Sequence, residues 1–179
     1  TKGWVRALKG HEIDAGALQF KPGDALYGTF ACRSVDALVV LGSNGRAYSV
    51  AVSALPGGRG DGQPITTLVD VESGTQPVHY FAGAAETTLL LAHSGGFGLL
   101  ARAGDLQGRN RGGKSFLSLE AGEHVLPPAV VAAGHTQVAC LALDGRLLVF
   151  ALAQLKLQPS GGRGLTLMAV DAAAPVVSV

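Results

Sequence analysis

The sequence predicts an all-β, propeller-like fold, and three observations carry this prediction. Glycine is frequent, with 26 residues in a chain of 179, whereas aromatic residues make up only 6%. Short apolar segments alternate with the Gly, Asn, Asp and Ser dipeptides that form tight turns. The same order of glycine, apolar and basic positions returns about four times. A helical fold is excluded, because these glycines would fall inside helices and no segment keeps a helical period beyond two turns.

One glycine sets the register of each repeat: Gly3, Gly45, Gly96 and Gly145, at separations of 42, 51 and 49 residues. In the last three repeats an apolar strand precedes this anchor glycine, a tight turn contains it and a second strand follows. Such turns need residues that accept positive φ angles, so each of these repeats is predicted to begin with a β-hairpin. The predicted strand pairs are 37–41 with 46–50, 88–92 with 97–100 and 137–143 with 146–150.

Three further positions recur in this register. An apolar residue stands ten positions after every anchor glycine, as a shared core position requires. In the last three repeats a glycine stands seventeen positions after the anchor, and a third strand is predicted to begin three positions later. A turn and a fourth apolar strand then lead into the next repeat. The apolar residues are Ile13, Leu55, Leu106 and Leu155, the glycines are Gly62, Gly113 and Gly162, and the third strands begin at Ile65, Phe116 and Leu165.

Four short strands in a repeat of this length are typical of propeller blades, which bury their faces only by stacking on one another. We therefore predict one domain, 1–179, expected to be a fragment of a larger subunit, with repeats at 1–36, 37–87, 88–136 and 137–179. The segment 175–179 either pairs with the first repeat or ends unpaired, so a closed ring and an open arc both remain open. A helical turn is expected at most at 154–157.

Composition and charge exclude several functional classes. With 14 basic and 13 acidic residues, the net charge of +1 argues against a surface that is basic throughout. Any contact with nucleic acid must therefore come from a local stripe of basic residues. No apolar run reaches the roughly 18 residues of a membrane helix. Cys32 and Cys140 are expected to be buried, reduced thiols rather than a disulfide or a metal pair.

No catalytic or metal-binding constellation is predicted. The histidines form no pair at ligand spacing, and the two cysteines are far apart in the sequence. His79 and His124 stand in corresponding strands and are expected to pack or to cap. Glu120 and Glu123 flank a turn and are expected to be solvated charges. The segment 57–62 lacks the Lys-Ser/Thr ending of a phosphate-binding loop.

Basic residues recur inside glycine-rich loops. These loops read DLQGRNRGGKS at 105–115, LPGGRGDG at 55–62 and SGGRG at 160–164, together with KGWVR at 2–6, KGHEID at 9–14 and NGR at 44–46. In this combination the whole chain resembles the C-terminal domains of the A subunits of bacterial DNA topoisomerase IV (ParC). Those domains are relatives of the C-terminal domain of the gyrase A subunit.

The resemblance implies a β-pinwheel, in which about four propeller-like blades exchange a strand with their neighbours and a positively charged rim binds duplex DNA without regard to sequence. In gyrase, a Gln-Arg-Arg-Gly-Gly-Lys-Gly box allows tight chiral wrapping. The nearest segment here, 109–115, keeps Arg111, Gly112, Gly113 and Lys114 and departs at three positions. The implied role is therefore the milder one of steering which DNA topology the enzyme processes, in decatenation and in supercoil relaxation.

The resemblance also implies the surroundings of the domain. The domain itself is expected to be non-catalytic and to need no cofactor, whereas the parent type IIA topoisomerase would use ATP and Mg²⁺. The expected partners are duplex DNA, the rest of ParC, ParE and the condensin-like protein MukB, with no membrane. The expected location is the bacterial cytoplasm, at the nucleoid.

Lysine and arginine in glycine-rich loops suit phosphate contact, because glycine lets the backbone approach and the long side chains reach the phosphate oxygens. No recognition helix is visible, so sequence-specific readout is not expected. The candidate DNA-binding residues form two sets. The loop set is Arg59, Arg109, Arg111, Lys114 and Arg163, and the hairpin set is Lys2, Arg6, Lys9, Arg46 and Arg146.

Two other functions fit the repeat less well. A protein-interaction propeller of the RCC1-like kind, holding a partner protein through its rim loops, is compatible with a glycine-rich repeat near fifty residues. The WD variety is disfavoured, because no Trp-Asp ending recurs. A propeller enzyme that processes sugars or nucleotides would need a central cluster of carboxylates, which the sequence does not provide.

Overall fold

The computed structural model describes residues 3–10, 13–14, 16, 18, 20, 22–23, 25–58 and 60–179. Within these ranges the regular structure consists of short β-strands and 3-10 turns, which confirms the all-β prediction. The strands form antiparallel sheets of two, three, four and four members. No helix in the described ranges has the length and apolar character needed to cross a bilayer.

The strands follow one another in the order that the repeats predict. They are β1 (Trp4–Val5), β2 (Ala37–Gly42), β3 (Arg46–Ala51), β4 (Gln63–Pro64), β5 (Pro77–Gly83), β6 (Thr88–His93), β7 (Phe97–Arg102), β8 (Lys114–Ser115), β9 (Ala129–Val130), β10 (Gln137–Ala142), β11 (Leu147–Ala151), β12 (Leu165–Thr166) and β13 (Val176–Ser178). Short 3-10 turns occupy Val52–Ala54, Ile65–Thr67, Ala103–Leu106 and Leu152–Gln154.

The three predicted hairpins form as β2–β3, β6–β7 and β10–β11. Each turn closes with the backbone N–H of the anchor glycine donating to the carbonyl three residues earlier, at 2.9 Å for Gly45, 3.0 Å for Gly96 and 3.0 Å for Gly145. The anchor register therefore marks the same structural point in these repeats. The exact division of the chain at 36/37, 87/88 and 136/137 stays a prediction.

Strand exchange joins consecutive repeats. The third strand of each repeat pairs with the second strand of the repeat before it, as β4 with β1, β8 with β3 and β12 with β7. The fourth strand returns to the first strand of its own repeat, as β5 to β2, β9 to β6 and β13 to β10. The segment 175–179 therefore pairs with β10, and no pairing joins it to the described residues of the first repeat.

The core lies between stacked sheets. In β6, Leu89 and Leu91 pack in one cluster with residues of the second repeat, whereas Leu90 and Ala92 pack in another with residues of the fourth. Both faces of this strand are therefore covered, and each buried leucine contributes about 1.5–3 kcal/mol. A third cluster lies on the other face of β2, around Tyr48.

The structure corrects three local expectations. The third strands are only two residues long. β4 and β8 begin before Ile65 and Phe116, which are buried core residues just beyond the strands, whereas β12 begins at Leu165 as predicted. A pair of residues is too short to show the alternation that identifies a strand. The helical turn expected at 154–157 lies at Leu152–Gln154, and similar turns follow β3 and β7. Cys140 is buried as predicted, but Cys32 is exposed.

Candidate nucleic-acid interface

The glycine-rich loops lie against the preceding repeat. A Cβ atom on Gly113 would overlap the carbonyl oxygen of Ala47, and the φ angle of Gly113 is 61°. Gly164 makes the equivalent approach to the carbonyl of Gly98, with a φ of 84°. Only glycine fits this conformation and this distance, so these glycines serve the strand exchange between repeats. The predicted recurrent position Gly162 is wrong for the fourth repeat, because a Cβ there meets only the Gln158 side chain at 3.8 Å and Gly164 makes the close approach instead.

A second contact between neighbouring repeats recurs along the chain. The hydroxyl of Ser49 bonds to the backbone N–H and carbonyl of Gly108, at 3.0 and 3.3 Å. One repeat later, the N–H of Gln158 donates to the carbonyl of Leu100 at 2.8 Å. Ser49 and Leu100 both stand four residues after their anchor glycine. The segments around 108 and 157 therefore take equivalent places on successive second strands.

Two members of the loop set carry positive charges with no ion pair among the described residues. Arg109 is exposed and directly follows Gly108 at this second contact. Lys114 is half-buried, with its Nζ atom 5.7 Å from the centre of the Phe116 ring. These two groups keep hydrogen-bonding capacity for an anionic ligand.

The Arg111 side chain already has bonding partners within the protein. Its guanidinium donates to the carbonyl of Thr67 at 2.8 Å and lies 3.3 Å from a carboxylate oxygen of Asp70. Both side chains remain largely exposed, so the pair is of the kind that contributes little to stability and is weakened by salt. Arg111 can exchange this partner for a phosphate at small cost.

Arg163 is held far more firmly. Its guanidinium donates to both carboxylate oxygens of Glu123, at 3.1 and 2.8 Å, and lies 4.3 Å from the centre of the Phe97 ring. Glu120 adds an ion pair at 3.3 Å. The hydrogen bond to Glu123 raises the pKa of Arg163. The main contacts of this residue are therefore within the seam between the third and fourth repeats.

The expectation that Glu123 is a solvated charge is wrong. Its side chain is only 13% exposed, and one carboxylate oxygen also accepts the backbone N–H of Glu120 at 2.7 Å. Burial raises the pKa of Glu123, but the hydrogen bonds from Arg163 and Glu120 outweigh it and leave the pKa below its ordinary value. Glu120 is 74% exposed, as expected.

His93 completes this cluster. The imidazole is fully buried, its Nδ1 atom lies 3.3 Å from the Glu123 carboxylate, and the ring stacks on Phe97. Burial lowers the pKa of His93, against the nearby charge of Glu123. His79 behaves similarly, since burial lowers its pKa although its Nε2 atom lies 3.1 Å from the Val125 carbonyl. Both rings are thus kept neutral near pH 7.

The free energy of unfolding is expected to fall as the pH drops from about 7 to 5.5. The unfolded chain binds protons at His79 and His93 with a pKa near 6.5, while the folded protein resists them. Each ring then contributes a slope of at most about 1.4 kcal/mol per pH unit. Denaturant unfolding at several pH values measures the slope. His93→Gln should reduce it, and an equal slope in this variant and the unmodified protein would contradict the assignment.

Two members of the hairpin set hold the loop of the next repeat. Arg46 donates to the carbonyls of Gly112 and Gly113, both at 3.0 Å, and Arg6 donates to that of Gly60 at 2.7 Å. Arg146 pairs instead with Asp144 of its own turn, at 2.7 Å. Lys9 is exposed, with no ion pair in the described part of the chain. Lys2 and Arg59 lie outside the described residues.

Two exposed cations were missed by the sequence reasoning. Arg102 ends β7, and Lys156 immediately precedes the residue that docks on Leu100. Neither has an ion pair among the described residues. Lys156 lies outside the glycine-rich loops, and that is why composition did not point to it. Lys156 directly follows Leu155, the apolar residue that stands ten positions after the anchor glycine of its repeat. This position is the feature of the sequence that could have identified it.

The structure therefore places Arg109 and Lys156 beside equivalent contacts of successive repeats. It does not gather the two predicted sets into one patch, because Arg6, Arg46 and Arg163 point into seams between repeats. No three His, Cys, Asp or Glu side chains within the described ranges form a group that could hold a metal ion.

Comparisons with known proteins agree on one family. No protein-family model matches the chain. It is 35% identical over 182 residues to the A subunit of DNA topoisomerase 4 from Neisseria gonorrhoeae, a match that covers 96% of this chain and 23% of that protein. The chain thus spans less than a quarter of the length of this curated relative.

Solved structures place the fold in the same group. The C-terminal domain of E. coli ParC matches with a TM-score of 0.88 at 30% identity, over 98% of this chain and 74% of that one. The C-terminal domain of DNA gyrase A matches with a TM-score of 0.64 at 17% identity, over 98% of this chain and 56% of that one, which is a likeness of fold alone. This chain belongs to the β-pinwheel C-terminal domains of ParC, the A subunit of DNA topoisomerase IV, and is structurally related to that of gyrase A.

Proposed function

We propose that this domain binds duplex DNA without regard to sequence, through cations on the outer edges of successive repeats. The observation that carries the proposal is the equivalent placement of Arg109 and Lys156, both exposed and neither in an ion pair among the described residues. Lys114, Arg102 and Lys9 add further cations, and Arg111 can join them by releasing Asp70. The matched relatives are named as subunits of a DNA topoisomerase, which agrees with this ligand.

The physical basis is phosphate contact. Lysine and arginine side chains neutralise phosphates and release condensed counterions, so the affinity falls steeply with salt. The net charge of +1 allows only a local track, and three of the predicted arginines are used inside the protein. The isolated domain should therefore bind weakly, and tethering to the rest of ParC raises its effective concentration at the DNA.

Weak, non-specific engagement suits a steering role. The domain would favour certain crossing geometries of DNA and so bias the parent enzyme toward decatenation or supercoil relaxation. We propose that it performs no chemistry itself and needs no cofactor, while the parent enzyme uses ATP and Mg²⁺. The proposed protein partners are the rest of ParC, ParE and MukB, and the proposed location is the bacterial cytoplasm, at the nucleoid.

The Arg109→Gln/Lys156→Gln double variant is expected to bind duplex DNA more weakly at low salt. Its slope of log K against log salt should be less negative by about 1.8, since each lost phosphate contact changes the slope by about 0.9. Fluorescence anisotropy of a labelled duplex across a salt series measures both quantities for two unrelated sequences.

A matched control removes one charge from a cation that is firmly paired. Arg33 bonds to the carboxylate of Asp36, which is only 5% exposed, so Arg33→Gln should leave the salt slope nearly unchanged, whereas Arg109→Gln alone should make it less negative by about 0.9. Identical slopes for these two single variants would remove Arg109 from the track. No duplex binding by the unmodified chain even at low salt would overturn the proposed function.

A further inference from the structure

One carboxylate stands beside the cations of the glycine-rich loop of the third repeat. A carboxylate oxygen of Asp70 lies 3.3 Å from the guanidinium of Arg111, and both side chains are largely exposed. Arg109 and Lys114, the other cations of this loop, form no ion pair among the described residues. In the described part of the chain, Asp70 is thus the only acidic residue that pairs with a cation of the segment 109–114.

The backbone holds Asp70 in this place. Its N–H donates to the carbonyl of Arg111 at 3.0 Å, so backbone and side chains both join the two residues. The preceding 3-10 turn ends at Thr67, whose carbonyl accepts the Arg111 guanidinium at 2.8 Å. Asp70 cannot leave the loop without breaking a backbone hydrogen bond, whereas the Arg111 side chain, which is 59% exposed, can turn outward by itself.

A carboxylate and a phosphate compete for the same guanidinium. Both present acceptor oxygens that the N–H donors of arginine bind in similar geometry. A carboxylate that stays beside the guanidinium also repels an approaching phosphate. An exposed ion pair of this kind can weaken the binding of a competing anion by at most about fivefold. Asp70 is therefore placed to lower the affinity of Arg111 for a phosphate without blocking it.

The next contact between repeats shows a cation that cannot be released in this way. Arg163 also lies beside acidic residues of the preceding repeat, with Glu120 at 3.3 Å and Glu123 bonded through both carboxylate oxygens. Its guanidinium lies over the Phe97 ring, and its side chain is only 29% exposed. Release of Arg163 would leave the nearly buried Glu123 without its charged donor, whereas release of Arg111 exposes Asp70 to water.

We propose that Asp70 sets the affinity of the domain for duplex DNA by occupying Arg111 when no phosphate is bound. The inference rests on the proposed function, because it concerns cations of the same track. In the free domain the Arg111 side chain bonds to Thr67 and Asp70. When DNA binds, the guanidinium turns outward to a phosphate, and the carboxylate of Asp70 is hydrated. This built-in competitor keeps the binding weak and reversible.

Asp70→Asn tests the proposal, because it removes the charge and keeps the size of the side chain. The variant is expected to bind a labelled duplex about three- to fivefold more tightly at low salt. Its slope of log K against log salt should become more negative, by up to about 0.9, as Arg111 gains a full phosphate contact. Fluorescence anisotropy across a salt series measures both quantities, and thermal melting checks that the fold is retained.

Glu72→Gln is the matched control, since it removes the same charge from a residue close to Asp70 in the chain. Glu72 pairs with Arg46 at 3.4 Å, and Arg46 also bonds to the carbonyls of Gly112 and Gly113. Those two bonds should keep the guanidinium of Arg46 in its place when the carboxylate is lost. The control therefore reports only the loss of a nearby negative charge, and its effect on affinity and slope should be smaller.

A double variant assigns the gain to Arg111. Adding Asp70→Asn to Arg111→Gln should strengthen binding no more than Glu72→Gln strengthens the unmodified domain, because no guanidinium is left to release. A larger gain in the Arg111→Gln background would show that Asp70 acts by general repulsion of the DNA, and it would overturn the inference.

The remaining outcomes separate this inference from the proposed function. If the unmodified domain binds duplex DNA and Asp70→Asn changes binding no more than Glu72→Gln does, the inference fails and the proposed function stands. If neither the unmodified domain nor Asp70→Asn binds a duplex at low salt, both fail.

Discussion

Gly113→Ala is expected to lower the free energy of unfolding by about 3 kcal/mol, combining the cost of a left-handed non-glycine residue with that of overpacking. The added Cβ would overlap the carbonyl of Ala47 and lie 2.7 Å from the ring of Tyr48, which is fully buried. The loop must then move away from the preceding repeat, and β8 loses its pairing with β3. Denaturant unfolding followed by circular dichroism measures the change.

The neighbouring glycine supplies the control. A Cβ on Gly112 meets no atom within 4 Å, and its φ is not in the positive range. Gly112→Ala should therefore change the free energy of unfolding by about 0.5 kcal/mol or less, as expected for a surface position. Similar losses in the two variants would show that the loop does not depend on the close approach at 113.

Glu123→Ala is expected to cost about 2–3 kcal/mol, because it removes a nearly buried carboxylate that accepts charged hydrogen bonds. Arg163 loses both of its bonds to this residue, and His93 loses its nearest charged neighbour. The seam between the third and fourth repeats is the part that should loosen. Hydrogen exchange of β7 and β12, which pair across this seam, reports it locally.

Glu120→Ala is the matched control for that prediction. Glu120 also lies beside Arg163, at 3.3 Å, but its side chain is 74% exposed. An exposed ion pair contributes about 0–1 kcal/mol, so this variant should remain close to the unmodified protein in stability. If the two variants lose equal stability, burial of Glu123 is not what makes it important.

The repeat was predictable because its recurring residues are types that favour particular local structures. Anchor glycines such as Gly45 mark tight turns, and apolar runs such as 88–92 mark strands covered on both sides. The resemblance to the A subunits of topoisomerase IV rests on the same positions and is confirmed by the matched sequences and structures. Two-residue strands such as β8 could not be predicted in this way, because they form only through pairing with a strand of another repeat.

The candidate interface was less predictable, for a physical reason. Arg46, Arg109 and Arg163 look alike in the sequence, since each is a basic residue beside glycine. Whether a guanidinium faces solvent or a neighbouring repeat depends on residues far away along the chain, such as Gly112 for Arg46 and Glu123 for Arg163. The number of basic residues in the loops therefore exceeds the number of exposed cations without an ion pair among the described residues, and Lys156 lies outside those loops.

The all-β class, the register of the repeats and the lack of a surface that is basic throughout follow from the order of residues, because they depend on turn chemistry, hydrophobic pattern and net charge. Which strands are exchanged between repeats, and which arginines bond within the contacts between repeats, became visible only in the folded chain. Those properties arise from contacts between residues about forty positions apart or more, as between Arg163 and Glu123 or Gly96 and Leu167. Local sequence does not encode the partner in such contacts.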